Sequence, residues 1–134
     1  MGQYFILVNL DKKEYVCPWC MGGAAKLYEW CANPQAGVIP FLLRKSSDFG
    51  GGDIHKDYET AGRWAGDRIV LVGDYDISGL FDLARGTYRN ITWMLVRDFN
   101  DFMGEEILKF KPCWGCKSCA EGAIECISEE IHEG

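Results

Sequence analysis

An apolar run at residues 3–10, QYFILVNL, breaks at the polar triplet Asp11-Lys12-Lys13 and resumes as EYV at residues 14–16. Two β-rich runs across a short polar break predict a hairpin. At residues 24–32, AAKLYEWCA, the positions Ala24, Leu27, Tyr28 and Cys31 fall on one face of a helix, which Asn33-Pro34 then stops. GVIPFLLRK at residues 37–45 reads as a strand with Pro40 at an edge or bulge. Residues 46–62 are polar and glycine-rich and read as a long loop. DRIVLVGDY at residues 67–75 is the most continuous apolar run and predicts a central strand. SGLFDLARGTY from Ser78 predicts a short helix closed by Gly86. TWMLVRDFNDFMG from Thr92 predicts a stronger one, with Thr92 as N-cap, Trp93, Val96, Phe99 and Met103 as its apolar stripe, and Gly104 just past its end. EEILKFKP at residues 105–112 reads as a short strand. Residues 120–134 read as a last helix with Ala120, Ala123, Ile124, Ile127 and Ile131 inward.

These elements do not alternate in βαβα fashion, so the fold class expected is α+β. The expectation is a single small domain over residues 1–134, with an N-terminal β-hairpin, a mainly antiparallel sheet, three or four helices and a cysteine-rich C-terminal segment at residues 110–134.

Composition supports a folded chain. Five Trp, six Tyr and seven Phe among 134 residues supply enough apolar surface for a core, and disorder needs the opposite. The net charge of −6 changes the functional picture more. Nucleic-acid affinity rests on Lys and Arg neutralising phosphates, and the chain shows no basic run, so a protein partner is expected and nucleic acid is not. No run reaches the ~20 apolar residues of a membrane span. The start lacks the basic region of a signal peptide, and Ile6 stands where a myristoylation signal wants Ser or Thr. A cytoplasmic location is expected. In that reducing compartment seven cysteines read as ligands, catalytic groups or buried thiols before disulfides.

The stretches MGQYFILVNLDKKEYV and GRWAGDRIVLVGDYD resemble an uncharacterised group of small microbial and viral proteins. The resemblance spans about the first ninety residues and implies no activity. The cysteine cluster beyond it must be read from its chemistry.

Two C-x-x-C pairs stand out, Cys17-Pro18-Trp19-Cys20 and Cys113-Trp114-Gly115-Cys116. Structural zinc takes four tetrahedral ligands, often thiolates, and each C-x-x-C turn aims two sulfurs at one point. Cys17, Cys20, Cys113 and Cys116 are therefore the expected ligands of one zinc ion joining the two ends of the chain. A self-contained set, Cys113, Cys116, Cys119 and Cys126, is the alternative pairing. It requires the last helix to start near Glu121, since seven helical residues separate two sulfurs by ~10 Å. The ferredoxin pattern C-x2-C-x2-C-x3-C-P is broken after Cys119. Cys31, on a helical stripe, reads as a buried core thiol. Cys126 reads equally as a core thiol or a ligand.

The second function considered is thiol–disulfide exchange. CPWC resembles a glutaredoxin active site, with Cys17 as nucleophile and Cys20 as resolving thiol, at a helix N-terminus that would lower its pKa. Only 19 residues separate Cys20 from Pro40, too few for the elements that fold places there. A third reading is a small-molecule site under the glycine-rich loop. DYDISG at residues 74–79 begins like a calcium loop, but Arg85 takes the position of the bidentate Glu, so a turn is expected. His55 and His132 have no dyad partner nearby in sequence and read as solvated. Arg63 and Trp64 read as a cation–π pair over the central strand or as part of a pocket. No catalytic constellation emerges, and an interaction module built round a zinc site is the function expected.

Overall fold

The computed structural model describes residues 2–113 and Cys116. Its elements are β1 (Phe5–Asn9), β2 (Glu14–Val16), α1 (Leu27–Ala32), α2 (Val38–Leu43), β3 (Ile69–Gly73), α3 (Leu80–Thr87), β4 (Arg89–Asn90) and α4 (Thr92–Met103). Single 3-10 turns cover Trp19–Met21 and Pro34–Gly37. The strands form one sheet in the order β3-β1-β2-β4. β1 pairs antiparallel with both β2 and β3, and β2 pairs parallel with β4. This is an α+β arrangement with a mainly antiparallel sheet, as the patterning predicts.

The hairpin forms where expected. Asn9 closes it, its Oδ1 accepting the backbone N–H groups of Asp11 and Lys12, and Lys13 takes the left-handed conformation at φ 55°. Side chains alternate across a strand, and the core divides accordingly. Leu7 and Val16 face a large cluster with Trp30, Phe41, Trp64, Leu95 and Phe99. Ile6, Val8 and Tyr15 face a smaller one with Val72, Phe81, Ala84 and three cysteines, Cys17, Cys20 and Cys116. The cysteines therefore lie on the α3 side of the sheet.

Several expectations need correction. Residues 38–43 are helical, not a strand: Val38, Phe41 and Leu42 are buried at helical spacing, and Pro40 sits in the first turn, where its missing N–H costs nothing. β3 is not central, since its described partner is β1 alone. Its apolar run arises because Leu71 packs on one cluster and Val70 and Val72 on the other. α1 is rotated from the expected face. Leu27, Tyr28 and Cys31 are exposed and Trp30 is buried, its indole N–H donating to the Phe5 carbonyl at 3.0 Å. One large side chain with a polar handle outweighs three smaller ones. Residues 105–112 form no strand.

α4 ends at Gly104 as expected, with φ 79°. Its N-cap position is Ile91, not Thr92, and Asn90 Oδ1 accepts the Thr92 N–H at 3.0 Å. α3 runs through Gly86 to Thr87. Arg63 and Trp64 form no cation–π pair with each other. Both converge on the buried Glu14, with Arg63 gripping both carboxylate oxygens and the Trp64 indole N–H donating at 2.8 Å. No described helix is long and apolar enough to cross a membrane. The helix expected at residues 120–134, with Cys119, Cys126 and His132, lies outside the described residues.

Candidate metal centre

The first pair of cysteines is built by the exit from β2. The Cys17 N–H donates to Thr92 Oγ1 at 2.8 Å, which ties the strand end to the start of α4. Pro18 then opens a 3-10 turn, and its carbonyl accepts the N–H groups of Met21 and Gly23. Gly22 closes the turn at φ 72°, and a Cβ there would stand 3.1 Å from the Lys109 carbonyl oxygen. Gly23 is equally constrained, because its Cβ would fall 2.2 Å from Gln35 Oε1. The two glycines let the turn lie flat against Gln35 and the segment that follows α4.

That segment brings the second pair. Asn100, in the last turns of α4, accepts the N–H groups of Ile107 and Leu108 at 3.0 Å each and donates to the Leu108 carbonyl at 2.7 Å. The chain is thus turned back along α4 and fixed. Lys111 N–H then donates to the Cys20 carbonyl at 2.7 Å, and Cys113 arrives two residues later.

The result is one cluster. The sulfurs of Cys17, Cys20, Cys113 and Cys116 all lie within 4.8 Å of one another. Cys113 Sγ is 3.6 Å from Cys17 Sγ and 3.5 Å from Cys20 Sγ. A tetrahedron with ~2.3 Å metal–sulfur bonds has edges of ~3.8 Å, so a single ion fits with small adjustments. Cys17, Cys20 and Cys116 are 0% exposed. Among the described residues none of the four forms a disulfide.

Crowding four thiols without a cation disfavours their ionisation. The hydrogen bonds from Cys113 and Cys116 push the Cys17 thiol far up, burial adds to this, and a contact with Cys20 opposes it. A coordinated dication reverses that balance, because a ligating thiol is deprotonated outright.

Polar groups around the cluster were not identifiable from the sequence. Asn90 Nδ2 donates to Cys20 Sγ at 3.7 Å. The orientation of that amide is set by its oxygen, which accepts from both the N–H and the hydroxyl of Thr92. A chain of hydrogen bonds therefore runs from Cys17 N–H through Thr92 and Asn90 to the Cys20 sulfur. Arg85 approaches the cluster from α3, its guanidinium stacked over the ring of Trp19 within the CPWC turn. The one local signal was Asn90 two residues before a helix, a position that favours a side chain capping the backbone.

The other expected features resolve differently. In DYDISG, Asp76 accepts from the Ser78 N–H and hydroxyl, and Asp74 Oδ1 accepts the Tyr4 N–H, which makes it a turn. His55 stands 3.3 Å from the Tyr58 hydroxyl in an exposed loop. No family model matches the chain, and neither a curated protein nor a solved structure does.

Proposed function

We propose that the protein is a small zinc-binding protein in which one structural ion clips the CPWC turn to the segment after α4, and that it acts as an interaction module for a protein partner without catalysing a reaction. The observation that carries this reading is the single tetrahedron-sized cluster of four sulfurs from the two C-x-x-C pairs. Its edges are too short to enclose the several irons and bridging sulfides of an iron–sulfur cluster. Zinc suits a closed site of four thiolates without an open position. The burial of Cys17 and Cys20 disfavours thiol–disulfide exchange, since a nucleophilic thiol must be reached by its substrate. The exposed side chains Tyr75, Ile77 and Leu83, at and just before α3, offer apolar area to a partner.

The test is the zinc content of cysteine variants. Cys113→Ser and the double change Cys17→Ser/Cys20→Ser should each lose most of the zinc. Full occupancy in the double variant would show that the clip is not two-ended and would redirect the site to Cys113, Cys116, Cys119 and Cys126.

A small-molecule site has one observation in its favour. A cavity of about 330 Å³ lies beside Gly52, lined by Phe41, Arg44, Ile54, Phe99 and Phe102. Its volume is at the lower end for ligand pockets. Indole should raise the melting temperature of the protein but not of Ile54→Trp, which fills the cavity. Equal behaviour of the two would remove this reading.

A further inference from the structure

A dication held by four thiolates leaves a double negative charge, and here it would stand among apolar side chains. Among the described residues a cation stands beside it. Arg85 projects from α3, and its guanidinium carbon lies 4.9 Å from the centre of the Trp19 ring and 5.4 Å from that of Phe81. Trp19 is the residue between Pro18 and Cys20, so this stacking fixes Arg85 relative to the first C-x-x-C turn. The guanidinium thus stands beside the buried cluster that Phe81 and Ala84 of α3 share with Cys17, Cys20 and Cys116. Its Nε is buried and has no acceptor among the described residues. None of the described ion pairs gives it a carboxylate.

This arrangement is costly for neutral thiols. Arg85 is half-buried with its Nε taken out of water; a buried guanidinium N–H needs an anion or a strong acceptor, and a thiol is a weak one. Thiolates beside it would satisfy the charge. We propose that Arg85 is a positioning residue of the zinc centre, stacked against the first C-x-x-C turn, balancing part of the charge of the four thiolates and making the sulfurs poor nucleophiles. The inference rests on the zinc reading above and extends it: the centre is a charge-balanced, chemically quiet clip, in contrast to a site that releases its metal on thiol modification. Thr92 and Asn90 orient the first pair of cysteines by dipoles, whereas Arg85 supplies the compensating charge.

Outer partners of metal ligands typically change affinity ~10- to 100-fold. In competition with a chromophoric chelator, Arg85→Met should bind zinc roughly tenfold more weakly. Excess dithionitrobenzoate should modify the zinc-loaded variant about tenfold faster. In the cobalt(II)-loaded protein the sulfur-to-cobalt charge-transfer bands should move to longer wavelength, because sulfur electrons lose a stabilising cation. Arg85→Lys should recover part of each effect, retaining charge without the planar fork. Thr87→Ala, at the exposed end of α3, should change none of them. If Arg85→Met does not fold, Arg85→Gln removes the charge while keeping a donor, and the same three readouts apply. Wild-type affinity, rate and band position in a charge-removing variant would overturn the proposal. Failure of the unaltered protein to take up zinc or cobalt would instead refute the zinc reading itself.

Discussion

At the scale of single residues, chemistry was legible from sequence only where spacing encodes it. Cys17, Cys20, Cys113 and Cys116 were identifiable because two residues between cysteines is the spacing a metal turn needs. Arg85, Asn90 and Thr92 were not, because their relation to the cysteines exists only once α3 and the β4–α4 junction pack on the CPWC turn. Cys31 was misread for a related reason: helical periodicity gives a stripe but not which neighbours cover it. Cys31 is exposed, so Cys31→Ala should leave zinc content unchanged and alter stability by less than ~0.5 kcal/mol, as for ordinary surface positions. Glu14 shows the opposite case. It is an acidic residue within a strand, and its burial is explained only by Arg63 and Trp64 from a distant loop. Burial alone would raise its pKa, but the hydrogen bonds from Arg63 and Trp64 and the positive charges of Arg63 and Arg89 outweigh it and hold the carboxyl below its usual value. A depressed folded-state pKa contributes stability that is fully present above the unfolded value, near 4.5, and is lost as the pH falls through the folded one. Glu14→Gln should cost about 2 kcal/mol at neutral pH. Denaturant titrations below pH 4 should show the gap between variant and parent narrowing; a constant gap would contradict this pairing.

At the scale of elements, the hairpin and α4 were legible because their patterns are long or strongly punctuated. α2 was not. A six-residue run of VIPFLL satisfies both strand composition and the i, i+3, i+4 spacing of a helix, and only packing against α4 decides between them. The CPWC turn also depends on elements it does not contain. Thr92 accepts the Cys17 N–H and donates to Asn90, so the first turn of α4 serves as a bracket for β2. Thr92→Val keeps the shape and removes the hydroxyl. It should cost about 1–2 kcal/mol, measured by thermal or chemical unfolding, because the buried Cys17 N–H loses its acceptor and Asn90 Oδ1 loses one of its two Thr92 donors. It should also weaken zinc binding, as a consequence of the displaced turn. Unaltered stability would show that the bracket has no energetic role.

At the scale of the whole molecule, the sulfur cluster joins segments that lie 93 residues apart between Cys20 and Cys113. The α+β class followed from the order of strands and helices, whereas strand order did not, because β3 is apolar on both faces while lying at the edge of the sheet formed by the described residues. A metal at this cluster closes a long loop and couples binding to folding. Removal of zinc by a strong chelator should therefore lower the melting temperature of the native protein and leave Cys17→Ser/Cys20→Ser unaffected. The most direct test is elemental analysis of the unaltered protein purified without chelator or added metal. The account predicts one zinc ion per chain. A correctly folded protein that carries no metal, or that carries iron in place of zinc, would contradict it.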